Sequence, residues 1–196
     1  MSGKVFGVGF HKTGTTTLYQ MLKRLRYSVC PEKIGYKLMD SWYKGDYTPI
    51  VRTARTYSGF QDTPWCLPGT YKVLAKEFPQ AKFILTHREN DRWFESMCAN
   101  YKRLCLPTGR FDYKKNGLFA PDQYYEKVYG FIPTHYDDFL ENKNKMIAAY
   151  VNHNNEVIEY FTNTRLLVVN WETGTGWKDI IRSRLPWNNL NPDRKE

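Results

Sequence analysis

Residues 9–18, which read GFHKTGTTTL, constrain the fold of this chain more than any other segment. They follow a short apolar run and lead into apolar residues that recur at helical spacing, namely Leu18, Met21, Leu22 and Leu25. A strand, a turn with two glycines and a helix form the layout of a phosphate-binding loop, because the turn amides and the positive end of the helix dipole converge on an anion. The sequence therefore predicts such a loop directly after the first strand.

The lysine of this loop does not stand where the common nucleoside triphosphatases have it. Their pattern, GxxxxGK[ST], has lysine directly after the second glycine. Gly9 and Gly14 have the matching spacing here, but Thr15 occupies the lysine position and two more threonines follow. The lysine of this loop is Lys12, two residues before Gly14. The pattern therefore indicates an anion-binding loop of a different class.

The composition is that of a folded, basic protein. The chain has 196 residues, 41% of them hydrophobic and 16% aromatic, which suffices for one domain with a sizeable core. Its net charge of +9 favours an anionic ligand or partner, which leaves a nucleotide, an acidic glycan, nucleic acid and a membrane surface open. The basic residues are scattered instead of forming a long run, so we expect no nucleic-acid partner.

The four cysteines have no spacing typical of a metal site; they are Cys30, Cys66, Cys98 and Cys105. We expect free, buried thiols and a reducing compartment. No signal peptide and no apolar run long enough to span a membrane is visible, so the sequence predicts a cytoplasmic protein without a membrane partner. It predicts no particular oligomeric state.

Apolar strands and helical segments alternate along the chain. Strands are predicted at residues 4–9, 82–87 and 165–171, and helices at 15–26, around 32–43, at 68–78, 90–104, 121–129 and 137–162, and after Gly176. Asn90 is expected to cap the helix that it begins. Residues 106–135, rich in Gly, Pro, Tyr and Lys, are predicted to form an extended excursion that suits a lid over an acceptor.

This alternation predicts a fold of the α/β class: a three-layer, P-loop-type fold with a central parallel sheet flanked by helices. Residues 1–196 are predicted to form a single domain. Ligands of such sheets bind beyond the carboxyl ends of the strands. The turns after Gly9, His87 and Trp171 are therefore expected to share one functional edge.

Two of these turns carry further motifs. Arg88 follows the strand KFILTH, and Ser96 comes eight residues later in the next helix, so a guanidinium and a hydroxyl can share one phosphate. The segment GTGWK, residues 174–178, follows the last strand and has an aromatic and a basic residue. Together with the Lys12 loop, these motifs resemble those of small sulfotransferases, which move a sulfuryl group from 3′-phosphoadenosine 5′-phosphosulfate (PAPS) to an acceptor and release adenosine 3′,5′-bisphosphate (PAP).

The resemblance implies roles for the motif residues. The loop would hold the 5′-phosphosulfate of PAPS, with Lys12 at the oxygen that bridges phosphate and sulfate; its other members are Thr13, Gly14, Thr15, Thr16 and Thr17. Arg88 and Ser96 would hold the 3′-phosphate. Trp177 would pack on the adenine and Lys178 would face a phosphate. No metal is expected, because cationic side chains can support sulfuryl transfer.

Transfer to a hydroxyl also needs a general base. The segment QDTP, residues 61–64, resembles a form found in this family, in which an acidic residue precedes a small residue and proline. Asp62 is therefore the first candidate, with a turn or helix-capping role as the alternative. His11, which adjoins Lys12, is the second candidate. His87 is expected to be structural.

The acceptor is expected to be a hydroxyl of a glycan or of a small metabolite. Two other functions stay open on the sequence. A P-loop nucleotide kinase is disfavoured by Thr15 in the lysine position and by the lack of an evident Mg²⁺-binding aspartate at a strand end. A non-catalytic nucleotide- or anion-binding protein is disfavoured by the presence of both Lys12 and the Arg88–Ser96 pair.

Overall fold

A computed structural model of the chain describes residues 3–110, 121–161 and 165–174. The elements within these ranges are, in chain order, β1 (Val5–Gly7), α1 (Thr15–Arg24), α2 (Glu32–Tyr36), α3 (Met39–Tyr43), α4 (Thr48–Thr56), β2 (Gly59–Phe60), α5 (Thr70–Glu77), β3 (Lys82–His87), α6 (Asn90–Leu104), α7 (Pro121–Tyr129), α8 (Tyr136–Glu141), α9 (Lys143–Tyr160) and β4 (Leu166–Asn170).

The four strands form one parallel sheet in the order β2-β1-β3-β4. Strands β3 and β4 share the longest register, from Phe83 opposite Leu166 to His87 opposite Asn170. Because all four strands run the same way, the segments that follow them emerge at one edge. This confirms the central parallel sheet that the sequence predicts.

Successive residues of the strands face opposite sides of the sheet, as the period of two requires. On one side Val5 and Ile84 pack with Leu18 and Leu22 of α1. On the other side Phe6 stacks on Phe60 with ring centroids 4.5 Å apart, within a large core that the remaining helices cover. The sheet is therefore the middle of three layers, as predicted.

Two predicted helices are divided in the structure. The predicted helix 32–43 is α2 followed by α3, and the predicted helix 137–162 is α8 followed by α9. The second division falls at Asn142, whose backbone departs from helical geometry at φ −98° and ψ 19°. The Asn142 side-chain amide donates to the carbonyl of Asp138 at 2.8 Å and so closes the end of α8.

The start of α6 differs from the prediction that Asn90 caps it. The cap is Glu89, whose carboxylate accepts hydrogen bonds from the amides of Asp91 and Arg92 at 3.2 and 3.0 Å. The glutamate side chain satisfies two of the orphan amides at the start of the helix, which is the role that was expected of Asn90. Helix α4 was not predicted, whereas α7 matches the predicted helix at 121–129. The helix predicted after Gly176 lies outside the described residues.

Candidate active site

The loop between β1 and α1 has the shape of an open anion site. Lys12 adopts a left-handed backbone with φ 66°, a strained conformation that is commoner at functional sites than elsewhere. Gly14 precedes the helix at φ 95°, and neither a side-chain cap nor an acidic residue occupies the first turn of α1. The amides of that turn and the positive end of the helix dipole are therefore free to bind an anion.

Trp171, which follows β4, closes this loop from the side. A Cβ atom added to Gly14 would overlap the Cδ1 and Nε1 atoms of the Trp171 indole, so only glycine fits there. The Nε1–H group of Trp171 is buried and has no hydrogen-bond partner among the described residues. A buried donor left unsatisfied costs about 1–3 kcal/mol. Trp171 therefore restricts position 14 to glycine, the residue that the left-handed turn before α1 also favours.

Buried side chains of α6 and α9 bind the backbone of the loop and hold it in place. The Trp93 indole donates to the carbonyl of His11 at 3.0 Å, and the His153 ring donates from Nε2 to the carbonyl of Val8 at 2.7 Å. Burial lowers the pKa of His153 to about 4, although the Val8 carbonyl and Glu156 oppose the shift. His153 is therefore neutral at neutral pH and acts as part of the scaffold.

Thr13 belongs to the same scaffold through its side chain. Its hydroxyl lies 2.5 Å from the carbonyl oxygen of Phe10 and 2.6 Å from the hydroxyl of Thr86 in β3. The side chain is 2% exposed. It therefore joins the loop to β3, and only its backbone remains available to a ligand.

Arg88 is fixed at the end of β3 by Tyr150 of α9. The Tyr150 hydroxyl accepts from the Arg88 amide and donates to the Arg88 carbonyl, both at 2.9 Å. Tyr150 itself stacks on Trp93 with ring centroids 4.3 Å apart. The Nη1 atom of Arg88 reaches the Lys12 carbonyl at 3.5 Å, so the two predicted anchors meet across the edge of the sheet.

A cavity of about 450 Å³ opens over these residues, within the range of small-molecule sites of about 300–1,000 Å³. Its lining unites most of the predicted donor-binding residues: Lys12, Gly14, Thr15, Thr16, Arg88 and Ser96. The facing wall is aromatic and apolar, formed in part by Tyr36, Met39, Tyr101, Leu104, Tyr124 and Tyr125. Thr17 is exposed on α1 and does not line the cavity. Trp177 and Lys178 lie outside the described residues.

Lys12 presents a cation to this cavity. Burial lowers the pKa of its ammonium; the nearby Arg103 and Arg88 also lower it, and Asp62 opposes them. Among the described residues, no acceptor forms a hydrogen bond with Nζ. A partly buried cation beside other cations gains most from a bound anion, because the anion relieves their mutual repulsion.

Asp62 and His11 form a hydrogen-bonded pair at the junction of the two walls. Nδ1 of His11 lies 2.6 Å from Oδ1 of Asp62. Burial alone would raise the pKa of Asp62, but His11, the Thr63 amide and the Thr15 hydroxyl together lower it below its ordinary value. An ionised carboxylate only accepts, so Nδ1 of His11 donates and Nε2 faces the Tyr124 hydroxyl at 3.1 Å.

The comparison with known families decides what this site belongs to. The chain matches the family model of the sulfotransferase domain over residues 4–183. It is a member of the sulfotransferase domain family. The family assigns a transferase activity, the movement of sulfuryl groups, in preference to the kinase and non-catalytic alternatives. No curated protein matches the chain significantly.

Two further findings concern the cysteines and the helices of this sulfotransferase. All four cysteines are free and buried, as the sequence predicts. Among the described helices, none has the length and apolar character that crossing a membrane requires.

One group of donors near the site has the composition of a metal site. Ligand atoms of His11, Asp62 and Cys66 lie within 4.8 Å of one another. Burial raises the pKa of the Cys66 thiol far above its ordinary value, so the thiolate that a metal requires is disfavoured. His11 and Asp62 are already bonded to each other. The donor set of the sulfotransferase therefore favours the hydrogen-bonded pair of His11 and Asp62 over metal coordination at this point.

Two residues near the cavity, Trp171 and Glu172, were not singled out from the sequence, and the contact between Tyr124 of the predicted excursion and His11 was not predicted. Trp171 and Glu172 come directly after a strand, and that position was a usable signal because ligands bind beyond the strand ends. Tyr124 is separated from His11 by 113 residues. No local pattern marks a partner at such a distance.

Proposed function

We propose that this sulfotransferase uses PAPS as its donor and transfers the sulfuryl group to a hydroxyl of a glycan or a small metabolite, with His11 as general base. The single observation that carries the proposal is the position of His11. Asp62 holds one ring nitrogen, and the other, Nε2, lies 3.1 Å from the Tyr124 hydroxyl, at the cavity that His11 lines together with the Lys12 loop and Arg88.

The donor is assigned to the cationic wall of the cavity. The free amides of the first turn of α1 support binding of the 5′-phosphosulfate in the loop. Arg88 and Ser96 are assigned to the 3′-phosphate, because a guanidinium and a hydroxyl both donate to phosphate oxygens. Bound there, PAPS supplies the activated sulfuryl group.

The two candidates for the general base have different roles in this proposal. Asp62 stays ionised and donates nothing; it fixes the His11 ring and the tautomer in which Nε2 can accept a proton. In this proposal the acceptor hydroxyl replaces the Tyr124 hydroxyl at Nε2 of His11 and gives its proton to that nitrogen. Asp62 is therefore a positioning residue, and the order in which the sequence ranks the two candidates is reversed.

The transfer then balances without a further reactant. The acceptor oxygen forms a bond to sulfur, the bond between sulfur and the bridging oxygen breaks, and the acceptor proton passes to His11. The released electron pair stays on the 5′-phosphate of PAP. Lys12 faces this charge as it develops, and a preorganised cation at such a point typically contributes about 10²–10³-fold to the rate.

The acceptor is assigned to the aromatic wall. Tyr124 and Tyr125 of α7 belong to the 106–135 segment and line the cavity, which supports a role of α7 in binding the acceptor. We propose that residues 1–196 work as one domain around this cavity. The free thiols support a cytoplasmic location, where cysteines stay reduced.

Calorimetry with four ligands tests the donor assignment: PAP, AMP, ATP with Mg²⁺, and an oligonucleotide. We expect PAP to bind most tightly, because only PAP engages the loop and Arg88 together. Arg88→Ala should weaken PAP binding about 10- to 100-fold, the loss expected for hydrogen bonds to a charged group. The control Arg55→Ala removes an exposed arginine paired with Glu77 and should leave binding unchanged. Tight binding of ATP with Mg²⁺ alone would refute the assignment.

A further inference from the structure

The guanidinium assigned to the 3′-phosphate is already paired with a carboxylate. Oε1 of Glu172 lies 3.0 Å from Nε and 2.9 Å from Nη2 of Arg88. Arg92 approaches the same oxygen at 3.5 Å. The Nε–Nη2 edge of Arg88 is one of the two edges with which arginine binds phosphate by two parallel hydrogen bonds. The carboxylate therefore occupies a position that a phosphate oxygen can take.

This ion pair is better shielded than the other arginine and lysine pairs described. The side chains of Arg88 and Glu172 are 28% and 24% exposed, whereas those of Arg55 and Glu77 are 63% and 40% exposed. Screening by water is weaker at the lower exposure, so the Glu172 pair has more influence on what binds Arg88.

Glu172 is also placed so that its side chain can leave without disturbing the fold. It lies in the turn after β4, and its amide donates to the Asn170 side chain at 2.9 Å. The neighbouring Trp171 is packed against Gly14 and anchors the turn. Among the described residues, the carboxylate of Glu172 has only Arg88 and Arg92 as partners. A rotation about the side-chain bonds therefore frees Arg88 while the backbone stays in place.

We propose that Glu172 is a built-in competitor of the 3′-phosphate: its carboxylate holds Arg88 in the empty enzyme, yields to the phosphate of the donor and returns as the product leaves. The inference rests on the proposed function, because it needs the 3′-phosphate at Arg88. Its consequence is weaker binding of PAP and faster product release. Release of product limits turnover in many enzymes, so a counter-ion that assists it has a clear use.

The test is calorimetric titration of Glu172→Gln with PAP and AMP, joined by stopped-flow measurement of PAP dissociation. Glutamine keeps the shape of the side chain and removes its charge. We expect PAP to bind about fivefold more tightly and dissociate correspondingly more slowly, the effect of one ion pair that no longer has to be broken. AMP lacks the 3′-phosphate, so its binding should not change.

Glu77→Gln is the matched control, because it removes the same charge from an exposed pair remote from the cavity. Glu172→Ala is the second variant and should act in the same direction as Glu172→Gln. Unchanged or weaker PAP binding in both Glu172 variants overturns the inference, and weaker binding would make Glu172 a positioning residue for Arg88. If the wild-type protein binds PAP no better than AMP, the 3′-phosphate assignment fails, and this inference fails with it.

Discussion

Nδ1 of His11 lies 2.6 Å from Oδ1 of Asp62, although 51 residues separate the two in the sequence. His11 comes from the loop after β1, and Asp62 follows β2, the neighbouring strand. Asp62 has a left-handed backbone with φ 65°, like Lys12 in the loop beside it. The sheet brings two strained turns together, and His11 lines the cavity with Nδ1 held by Asp62 and Nε2 next to the Tyr124 hydroxyl.

The first prediction concerns this pair. His11→Ala should lower kcat by about 10²–10⁴-fold, the usual contribution of a general base, and should leave PAP affinity nearly unchanged. Asp62→Asn should lower kcat less, because it disturbs the orientation of the base without removing it. Steady-state kinetics with separate PAP titrations measure both effects. His135→Asn, an exposed change that keeps a residue suited to capping α8, is the control. A greater loss in Asp62→Asn would instead identify Asp62 as the base.

The second prediction separates chemistry from binding at Lys12. Lys12→Ala should lower kcat by about 10²–10³-fold. The Lys12 ammonium stabilises the negative charge on the bridging oxygen, and that charge builds up only as the bond between sulfur and this oxygen breaks. PAP affinity should change much less, since the loop amides and Arg88 remain. Kinetics and calorimetry on the same preparation give both numbers. Lys44→Ala, at an exposed pair with Asp40, is the control. Loss of PAP affinity equal to the loss of kcat would contradict the assigned role.

The third prediction isolates the packing of Trp171 on the loop. Gly14 and Gly45 both have positive φ, 95° and 74°, but a Cβ meets the indole only at Gly14 and open space at Gly45. Gly45→Ala should therefore cost only the backbone strain of about 1–2 kcal/mol. Gly14→Ala should cost more and should also abolish PAP binding. Thermal denaturation and calorimetry compare the two variants. Equal losses of stability and of PAP affinity in the two variants would show that the Trp171 indole does not constrain the loop.

The fourth prediction uses the buried imidazole under the loop. The pKa of His153 is about 4 in the folded chain, against an ordinary value of 6.5. Between these two values the unfolded chain binds a proton that the folded chain does not. Stability from His153 is therefore complete above pH 6.5 and is lost as the pH falls toward 4, by up to about 3 kcal/mol.

Urea unfolding between pH 7 and pH 4 measures this dependence. His153→Gln keeps a side-chain donor for the Val8 carbonyl but has no group that titrates in this range. Its free energy of unfolding should therefore fall less than that of the wild-type protein over the same interval. An equal fall in the free energy of unfolding of His153→Gln and of the wild type between pH 7 and pH 4 would show that burial of His153 is not the cause of the pH dependence.

The sequence by itself predicted the class of fold, which the structure confirms, and marked the Lys12 loop and Arg88 as candidate anchors for an anion. These features depend on short-range sequence patterns: a strand, a turn and a helix follow one another within 20 residues, and each has a pattern of its own in the sequence. Helix divisions were harder to predict, because the break at Asn142 depends on a single backbone departure inside a segment of helical composition.

Only the tertiary structure decided which of the candidate residues contact one another. Asp62 and His11 were ranked as alternative bases, and only the structure shows that they are hydrogen-bonded to each other. The pairing of Arg88 with Glu172 and the packing of Trp171 on Gly14 likewise join segments 84 and 157 residues apart in the chain. A parallel sheet brings the ends of its strands to one edge regardless of their distance in sequence. No local pattern encodes which side chains will meet there.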